Sequence, residues 1–484
     1  MIAIQSELRP VLPTVYGPKD YREFRSCLEE MDRILEISGA EKRLIMRLIS
    51  ANEKELSARR YKIYRSALRY SILLVLTGLP HRKLAVRVSD SMLFQWFISS
   101  ARIDGVVSVS KSTIERYEKL ISPGEISELI HELNHAVSDE REASELLSRR
   151  TALKMDQIFA DTTCVKTNIH FPVDWVLLRD VTRTLIKAII LIRQHGLKHR
   201  IRNPKEFIRE MNKCCIEMTH VRKTKDATRK RKAIFRRMKK LLKSIEVHAI
   251  NYHRELEAHW EKTDWSEREA QNVLVRMNDV LIQLPQAIKQ AHERIIGERK
   301  VPNKEKILSL YESDTHVIVR GKAGAEVEFG NALYLAEQAD GLIVDWQFVQ
   351  EQPPADNKLV DASLERIEEA YGQLESYASD RGFDSPKNKK QLEERTIINA
   401  ICPRSVTQLT EQLEDEQFCL LQKRRAQTEG RIGIFKNAYL GKPLRSKGFD
   451  NRQTRIVWCI LAHNLWKLAR IASQEKEKRR NKAA

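Results

Sequence analysis

Apolar residues recur at spacings of three and four positions over much of this chain, which is the pattern of helices with one buried face. Near the N-terminus the pattern is clear over 24–35 and again over 64–76. It returns, with no strand pattern between, in three stretches of the middle of the chain: 181–192, 234–250 and 270–296. We therefore predict helices within 1–150 and a helical segment over 175–304.

After Pro302 the pattern changes to alternating apolar and polar positions, which indicates strands. The predicted strands lie at 316–320, 327–335, 341–349 and 396–400, and the predicted helices at 361–375 and 388–394, before two closing helices. A short strand ends at Asp380 beside a glycine turn, and an earlier one runs to Asp161 and passes directly into polar residues. The predicted fold class is therefore mixed α/β.

The most informative single residue is Glu429, which has Arg425 four positions before it and Lys436 seven positions after it. On a helix of about 3.6 residues per turn, those offsets bring the three side chains onto one face. Two cations favour the ionised form of a carboxyl group, so Glu429 is a poor general acid but is suited to hold a divalent metal beside a phosphate. The pattern indicates phosphoryl transfer on a nucleic acid.

Such a site needs further carboxylates, because a hard cation bound to phosphate takes oxygen ligands. Asp161 and Asp380 are candidates, since a carboxylate at a strand end can face a cleft without being buried unpaired. Asp156 is the main rival for the first position, but five residues along a strand from Asp161 it would face the opposite side. Asp384 is a further carboxylate near Asp380. We predict Asp161, Asp380 and Glu429 as the metal ligands.

Three stretches around these carboxylates carry a wider pattern. They are Asp161-Thr-Thr-Cys-Val-Lys-Thr-Asn-Ile-His-Phe-Pro172-Val-Asp174, then Arg320-Gly-Lys-Ala-Gly-Ala-Glu-Val-Glu328-Phe-Gly330 with Asp380-Arg-Gly-Phe, and the segment from Arg425 to Leu465. In these stretches the chain resembles the insertion-sequence transposases with an Asp-Asp-Glu (DDE) catalytic triad and a Tyr/Arg/Glu/Lys signature around the glutamate. The signature tyrosine falls on Gln422, so its role is not carried over.

The resemblance implies a ribonuclease-H-like catalytic domain that brings Asp161 and Asp380 onto adjacent strands despite the long insertion between them. Asp161, Asp380 and Glu429 would be catalytic and would bind two Mg²⁺ ions, with Mn²⁺ as a substitute. The signature cations and nearby phosphate contacts would be Arg425, Lys436, Lys442 and Arg445. The implied reaction is cleavage at the inverted-repeat ends of a mobile element and strand transfer into target DNA. The partner would be double-stranded DNA, bound by a homodimer or a larger synaptic complex.

The resemblance and the patterns together predict four regions. They are a helical DNA-binding and dimerisation region over 1–150, a catalytic domain over 151–174 and 305–470, a basic helical insertion over 175–304, and a basic C-terminal tail over 471–484.

The charge of the chain agrees with a polyanionic partner. Lys and Arg number 85 against 66 Asp and Glu, a formal net charge of +19. The excess is concentrated over 222–243, where Asp226 is the only acidic residue. Contact with DNA phosphates is predicted for Arg229, Lys230, Arg231, Lys232, Arg236, Arg237, Lys239 and Lys240. The alternative for this run is a solvated helix face.

Two stretches of the N-terminal region resemble helix-turn-helix units, at 79–98 and 109–120. In the second, Lys111, Ser112 and Arg116 lie where a helix start could reach phosphate. DNA contact and plain helical packing are both open for this region.

The sequence His131-Glu132-Leu-Asn-His135 matches a zinc-protease pattern, but no third ligand follows at the expected offsets, so a solvated helix face is expected.

Seven scattered cysteines without paired spacing predict a reducing compartment and exclude a disulfide scaffold or a zinc ribbon. The apolar runs are too short to span a membrane, and a bacterial cytoplasmic protein that joins the nucleoid when bound to DNA is expected.

Two other functions remain open, a DDE-type nuclease without strand transfer and a catalytically inactive DNA-binding protein.

Overall fold

The computed structural model describes residues 11–52, 57–101, 105–221, 226–322 and 325–483. Outside the described residues lie three cations of the basic segment 222–243, namely Arg222, Lys223 and Lys225. Residues 323–324, within the stretch Arg320–Gly330 that resembles the transposases, also lie outside them. The chain divides into two compact units: Met1–Val165 with Ala332–Ala484, and Lys166–Asn331.

The helices and strands are numbered along the chain. The helices are α1 (Lys19–Ile37), α2 (Ala40–Asn52), α3 (Ala58–Thr77), α4 (His81–Asp90), α5 (Met92–Ile98), α6 (Lys111–Glu118), α7 (Pro123–Ser138), α8 (Glu140–Leu147), α9 (Asp174–Gln194), α10 (Pro204–His220), α11 (Ala227–His259), α12 (Glu267–Ile295), α13 (Val360–Tyr371), α14 (Pro386–Glu394), α15 (Val406–Gln412), α16 (Glu416–Ile434) and α17 (Phe449–Ala483). The strands are β1 (Gln157–Lys166), β2 (His316–Lys322), β3 (Ala325–Glu337), β4 (Ile343–Phe348), β5 (Ser376–Ser379) and β6 (Ile398–Ile401). The prediction of a mixed α/β protein is confirmed.

In the first unit the sheet has the order β4-β3-β1-β5-β6. Strands β1, β5 and β6 are parallel, whereas β3 and β4 are antiparallel. The prediction that Asp161 and Asp380 come from adjacent strands is confirmed, because β1 pairs with β5 and Asp380 directly follows β5. One detail was wrong: β1 continues to Lys166, so Asp161 lies within the strand rather than at its end.

The N-terminal helices and the sheet share one hydrophobic core. Its buried side chains come from α1, α3 and α7, from the sheet and from α17, and Trp458 of α17 is fully buried. The Trp458 Nε1 atom donates a hydrogen bond to the Glu118 carbonyl oxygen, 3.0 Å away. Residues 471–483, predicted as a tail, continue α17.

Local sequence explains where several helices begin and end. Ser122 and Glu125 form a capping box at the start of α7, with Pro123 at the first helical position. Helix α13 ends at Tyr371, earlier than predicted, because Gly372 adopts a left-handed φ of +85° that stops the helix. Helix α16 passes directly into a π-helical turn, Phe435–Leu440.

The second unit consists of α9, α10, α11 and α12 with a β-hairpin. The apolar stripes predicted for these helices form a core of their own. Asp174, at the start of α9, accepts hydrogen bonds from Gln290 (2.8 Å) and Arg294 (3.1 Å), so it has a structural role there. Strand β2 pairs antiparallel with the first half of β3, and the Thr167 amide donates to the Phe329 carbonyl oxygen at 3.1 Å. Both ends of the unit are thereby tied together.

Across the described ranges, none of the helices is long and apolar enough to cross a membrane.

Candidate active site

The register of the sheet sets Asp161 beside Asp380. Phe159 of β1 pairs with Ala378 of β5, and each aspartate lies two residues further along its own strand direction. Because side chains alternate along a strand, the two carboxylates point to the same side of the sheet. Asp161 Oδ1 accepts a hydrogen bond from the Thr162 amide at 2.7 Å, and Asp380 Oδ1 accepts one from the Gly382 amide at 2.8 Å.

Helix α16 is fixed at the carboxyl ends of β5 and β6. Its Phe418 and Leu421 pack in a small apolar cluster with Phe159, Ala378 and Ala400 of the sheet.

Gln422 adds a polar link between α16 and the sheet. Its Nε2 atom donates to the carbonyl oxygens of Ser379 (3.1 Å) and Ala400 (2.5 Å). Ser379 is the residue immediately before Asp380. The side chain that replaces the signature tyrosine therefore joins the glutamate helix to the strand that precedes Asp380.

A buried glutamate on β3, Glu337, sets the rotation of α16. Its Oε1 atom accepts hydrogen bonds from Thr428 (2.7 Å), Arg424 (3.0 Å) and Arg431 (3.2 Å). These three residues lie on one helix face, and Glu429 is the neighbour of Thr428 in sequence. Sequence reasoning missed Glu337, because an acidic residue at the end of a strand that also contains Glu326 and Glu328 has no spacing pattern to distinguish it.

The electrostatics of Asp161 place the other predicted site residues around it. Burial, followed by the charge of Asp380, raises the pKa of Asp161 from 3.8 to about 6; Glu429 adds to the rise and Arg425 opposes it. Two carboxylates and one cation therefore act electrostatically on a single aspartate.

The two signature cations differ in their surroundings. Lys436, in the π-helical turn, donates to the Thr163 hydroxyl of β1 at 2.9 Å. The Nε atom of Arg425 is buried, and no hydrogen-bond partner for it is found in the part of the chain that the structure describes. Lys442 and Arg445 are exposed in the segment after that turn.

The donor set fits a hard divalent cation, because the groups brought together are carboxylates. Within the described ranges, however, no three His, Cys, Asp or Glu side chains converge closely enough to form a ready-made metal centre. Charges act on one another over longer distances than metal–ligand bonds, so both observations hold. Glu429 is exposed.

The two rival carboxylates have other partners. Asp156 precedes β1, at the opposite end of the strand from the Asp380 turn, and it forms an ion pair with Lys154 at 3.9 Å. Asp384 accepts a hydrogen bond from the Arg404 amide (2.8 Å) and pairs with Lys389 (3.1 Å). It thereby anchors the turn that carries Asp380.

The zinc-protease pattern on α7 has a structural role. His131 Nδ1 lies 2.8 Å from the Tyr371 hydroxyl, and its ring stacks on Trp346. Glu132 forms ion pairs with Arg43 and Arg47. These contacts leave the pattern without a metal-binding arrangement among the described residues.

The predicted DNA-contact residues lie on exposed helix faces. Lys111, Ser112 and Arg116 are exposed in α6, where Ser110 caps the helix by accepting from the Thr113 amide. On α11, in the other unit, Arg231 and Lys232 are half-buried, and the exposed residues are Arg229, Lys230, Arg236, Arg237, Lys239 and Lys240.

Some charges of α11 are already paired. Arg229 pairs with Asp226, Lys232 with Glu298, and Arg237 with Glu217.

Residues 332–465 match the family model described as a transposase DDE domain. The matched segment contains Asp380, Arg425, Glu429 and Lys436, whereas Asp161 precedes it. No curated protein and no solved structure matches the chain. The family match confirms the resemblance to DDE-type transposases.

Proposed function

We propose that this DDE-type chain is a DNA transposase, which cleaves DNA at the inverted-repeat ends of a mobile element and joins those ends to target DNA. The observation that carries the proposal is the grouping of Asp380, Glu429 and Arg425 around Asp161, on elements that the family match largely covers. The proposed catalytic domain is ribonuclease-H-like, in agreement with the strand order β4-β3-β1-β5-β6.

Asp161, Asp380 and Glu429 would hold two divalent cations, Mg²⁺ or Mn²⁺. When bound, such ions activate the attacking water or 3′-hydroxyl and stabilise the departing oxygen. Asp161 and Asp380 supply oxygen ligands from a rigid sheet, and Glu429 supplies its carboxylate from α16.

The cations of the site would act on the DNA. Arg425 and Lys436 would add positive charge beside the scissile phosphate. Lys442 and Arg445, exposed after the π-helical turn, would contact phosphates of the terminal nucleotides. No protein nucleophile is required, because water and then a DNA 3′-hydroxyl attack the phosphorus.

Two further surfaces would bind DNA without chemistry. Lys111, Ser112 and Arg116 of α6 would contact the repeat, and the basic face of α11 would neutralise backbone phosphates. A homodimer or larger assembly would bring two ends together.

The test uses labelled DNA that carries the repeats flanking the coding sequence, a target plasmid, and either Mg²⁺ or Ca²⁺. We expect cleavage and joining in Mg²⁺, and a loss of about a thousandfold in Asp161→Asn, Asp380→Asn and Glu429→Gln. Asp156→Asn is the matched control, since it removes the same charge at the far end of β1 and should retain activity.

Other outcomes identify the alternatives. Cleavage without joining would indicate a nuclease of the same chemistry. DNA binding without cleavage in any metal would indicate an inactive DNA-binding protein, and full activity in the three variants would mean that other carboxylates carry the reaction.

A further inference from the structure

A fourth acidic residue, Asp356, lies next to the predicted carboxylates. It begins a 3₁₀ turn, Asp356–Lys358, just before α13, and nothing in its sequence context distinguishes it. Its Oδ1 atom accepts a hydrogen bond from the Thr162 hydroxyl at 2.8 Å. Thr162 directly follows Asp161, so this bond ties Asp356 to the centre of β1.

The second oxygen of Asp356 approaches Asp380. A Cβ atom placed on Gly382 would lie 2.7 Å from Asp356 Oδ2 and 3.0 Å from Asp380 Oδ1. A side chain at position 382 would therefore collide with an oxygen of each carboxylate.

The position of Asp356 suits a charge role better than a purely mechanical one. A threonine hydroxyl can be satisfied by many neutral acceptors, so the Thr162 bond alone does not call for a carboxylate. Carboxylates held this close repel one another, and a bound divalent cation relieves that repulsion. Two such cations carry more charge than Asp161, Asp380 and Glu429 together can neutralise.

We propose that Asp356 is a fourth carboxylate of the metal site, which links β1 to the Asp380 turn and adds negative charge beside the cations. This inference rests on the proposed function, since it assigns Asp356 to the same site. Gly382 belongs to the arrangement, because its lack of a side chain lets Asp356 and Asp380 approach each other.

The first measurement is Mn²⁺ binding to the full chain, followed by the electron paramagnetic resonance signal of free Mn²⁺. Asp356→Asn keeps an oxygen that can accept from Thr162 but loses the charge. We expect its Mn²⁺ affinity to fall by about tenfold or more, with an unchanged melting temperature. Glu351→Gln, an exposed residue of the preceding loop, removes the same charge and should bind Mn²⁺ like the wild type.

A second variant, Gly382→Ala, tests the same site in case Asp356→Asn does not fold. Gly382→Ala places a methyl group against Asp356 and Asp380, which must shift, and should also weaken Mn²⁺ binding. If Asp356→Asn binds Mn²⁺ as tightly as the wild type and only Asp356→Ala binds it more weakly, Asp356 acts only as a hydrogen-bond acceptor for Thr162. That result would overturn the inference.

Activity is measured separately from binding. We expect Asp356→Asn to need about tenfold more Mg²⁺ for half-maximal cleavage, whereas Glu351→Gln should not. If the wild type binds Mn²⁺ but never cleaves DNA, the proposed function fails while the binding comparison still decides the role of Asp356. If the wild type binds no Mn²⁺, both ideas fail.

Discussion

Asp161 is the residue whose protonation would link the proposed metal binding to pH. Burial, and after it the charge of Asp380, raises the pKa of Asp161 to about 6, so protons would compete with a cation for this carboxylate near pH 6. We expect Mn²⁺ affinity to fall as the pH drops from 7 to 5, in a transition that Asp161→Asn lacks. An affinity that is flat over this range would contradict the buried, crowded environment of Asp161.

The same shift makes a prediction about stability without metal. A folded-state pKa above the ordinary 3.8 means that the protonated form stabilises the fold, and this stabilisation is lost as the pH rises through about 6. The melting temperature of the wild type should therefore fall between about pH 4 and 6 relative to Asp161→Asn. Added Mg²⁺ should remove that difference, and calorimetry over the pH range measures it.

Gln422 stands where the transposase signature has a tyrosine, and variants at this position test what the glutamine contributes. Gln422→Ala loses two hydrogen bonds to strand-end carbonyls and should lower stability by about 1–2 kcal/mol and reduce cleavage. Gln422→Tyr, which restores the signature residue, should not recover activity, because a phenol cannot donate to both carbonyls. Gln417→Ala on the same helix is the control. Full activity in Gln422→Tyr would mean that the link is dispensable.

The residues of the proposed site differ in how clearly the sequence indicates them. Asp380 and Glu429 were predicted because each stands in a pattern, a strand-end turn or a helix with spaced cations. Glu337 and Asp356 could not, since their importance comes from contacts with residues about 90 and 190 positions away. A single carboxylate acquires such a role only through the fold.

At the scale of elements, α16 depends on the buried hydrogen bonds of Glu337. Glu337→Ala would leave Arg424 and Arg431 without their shared carboxylate, and we expect a loss of about 3 kcal/mol in unfolding free energy. Glu337→Gln, which keeps one acceptor oxygen, should lose less. Urea denaturation measures both, and an exposed-site variant, Glu351→Gln, should be neutral.

The elements themselves were largely predictable, but their ends were not. Alternation located the strands, yet β1 runs five residues past Asp161 because the segment after it, including Cys164 and Val165, is buried too. No sequence pattern predicts the π-helical turn that follows α16. There the wider turn accompanies the contact of Lys436 with Thr163, which is a tertiary effect.

At the scale of the whole molecule, the basic face of α11 predicts salt-dependent DNA binding. Lys230, Arg236, Lys239 and Lys240 are exposed, and within the described ranges none of the four forms an ion pair with a carboxylate. Replacing all four by alanine should weaken DNA binding. The slope of log affinity against log salt should also fall by about 0.9 for each phosphate that the helix no longer neutralises.

Two paired residues of the same helix provide the control. Arg229→Ala with Arg237→Ala removes cations that already have acidic partners, so this double variant should change the slope less per residue. If each substitution in the double variant changes the slope as much as each substitution in the fourfold variant, overall charge determines DNA affinity, and the position of the cations on α11 does not.

Whole-molecule organisation was the least predictable level. Periodicity identifies a helix with a buried stripe but does not say which other element covers that stripe. The N-terminal helices therefore looked like a separate region in the sequence, whereas their apolar faces pack in the same core as the sheet and α17. The helices of the second unit, in contrast, form a core among themselves.

The tie between Thr167 and Phe329 has a consequence for the evolution of this chain. The insertion leaves after β1 and returns through β3, and its two ends are hydrogen-bonded neighbours. In a sheet, such neighbours are separated by only about 5 Å. A short turn could bridge that gap as well as the whole second unit does. Exchange of the second unit for a segment of another length would therefore leave intact the pairing that places Asp161 beside Asp380.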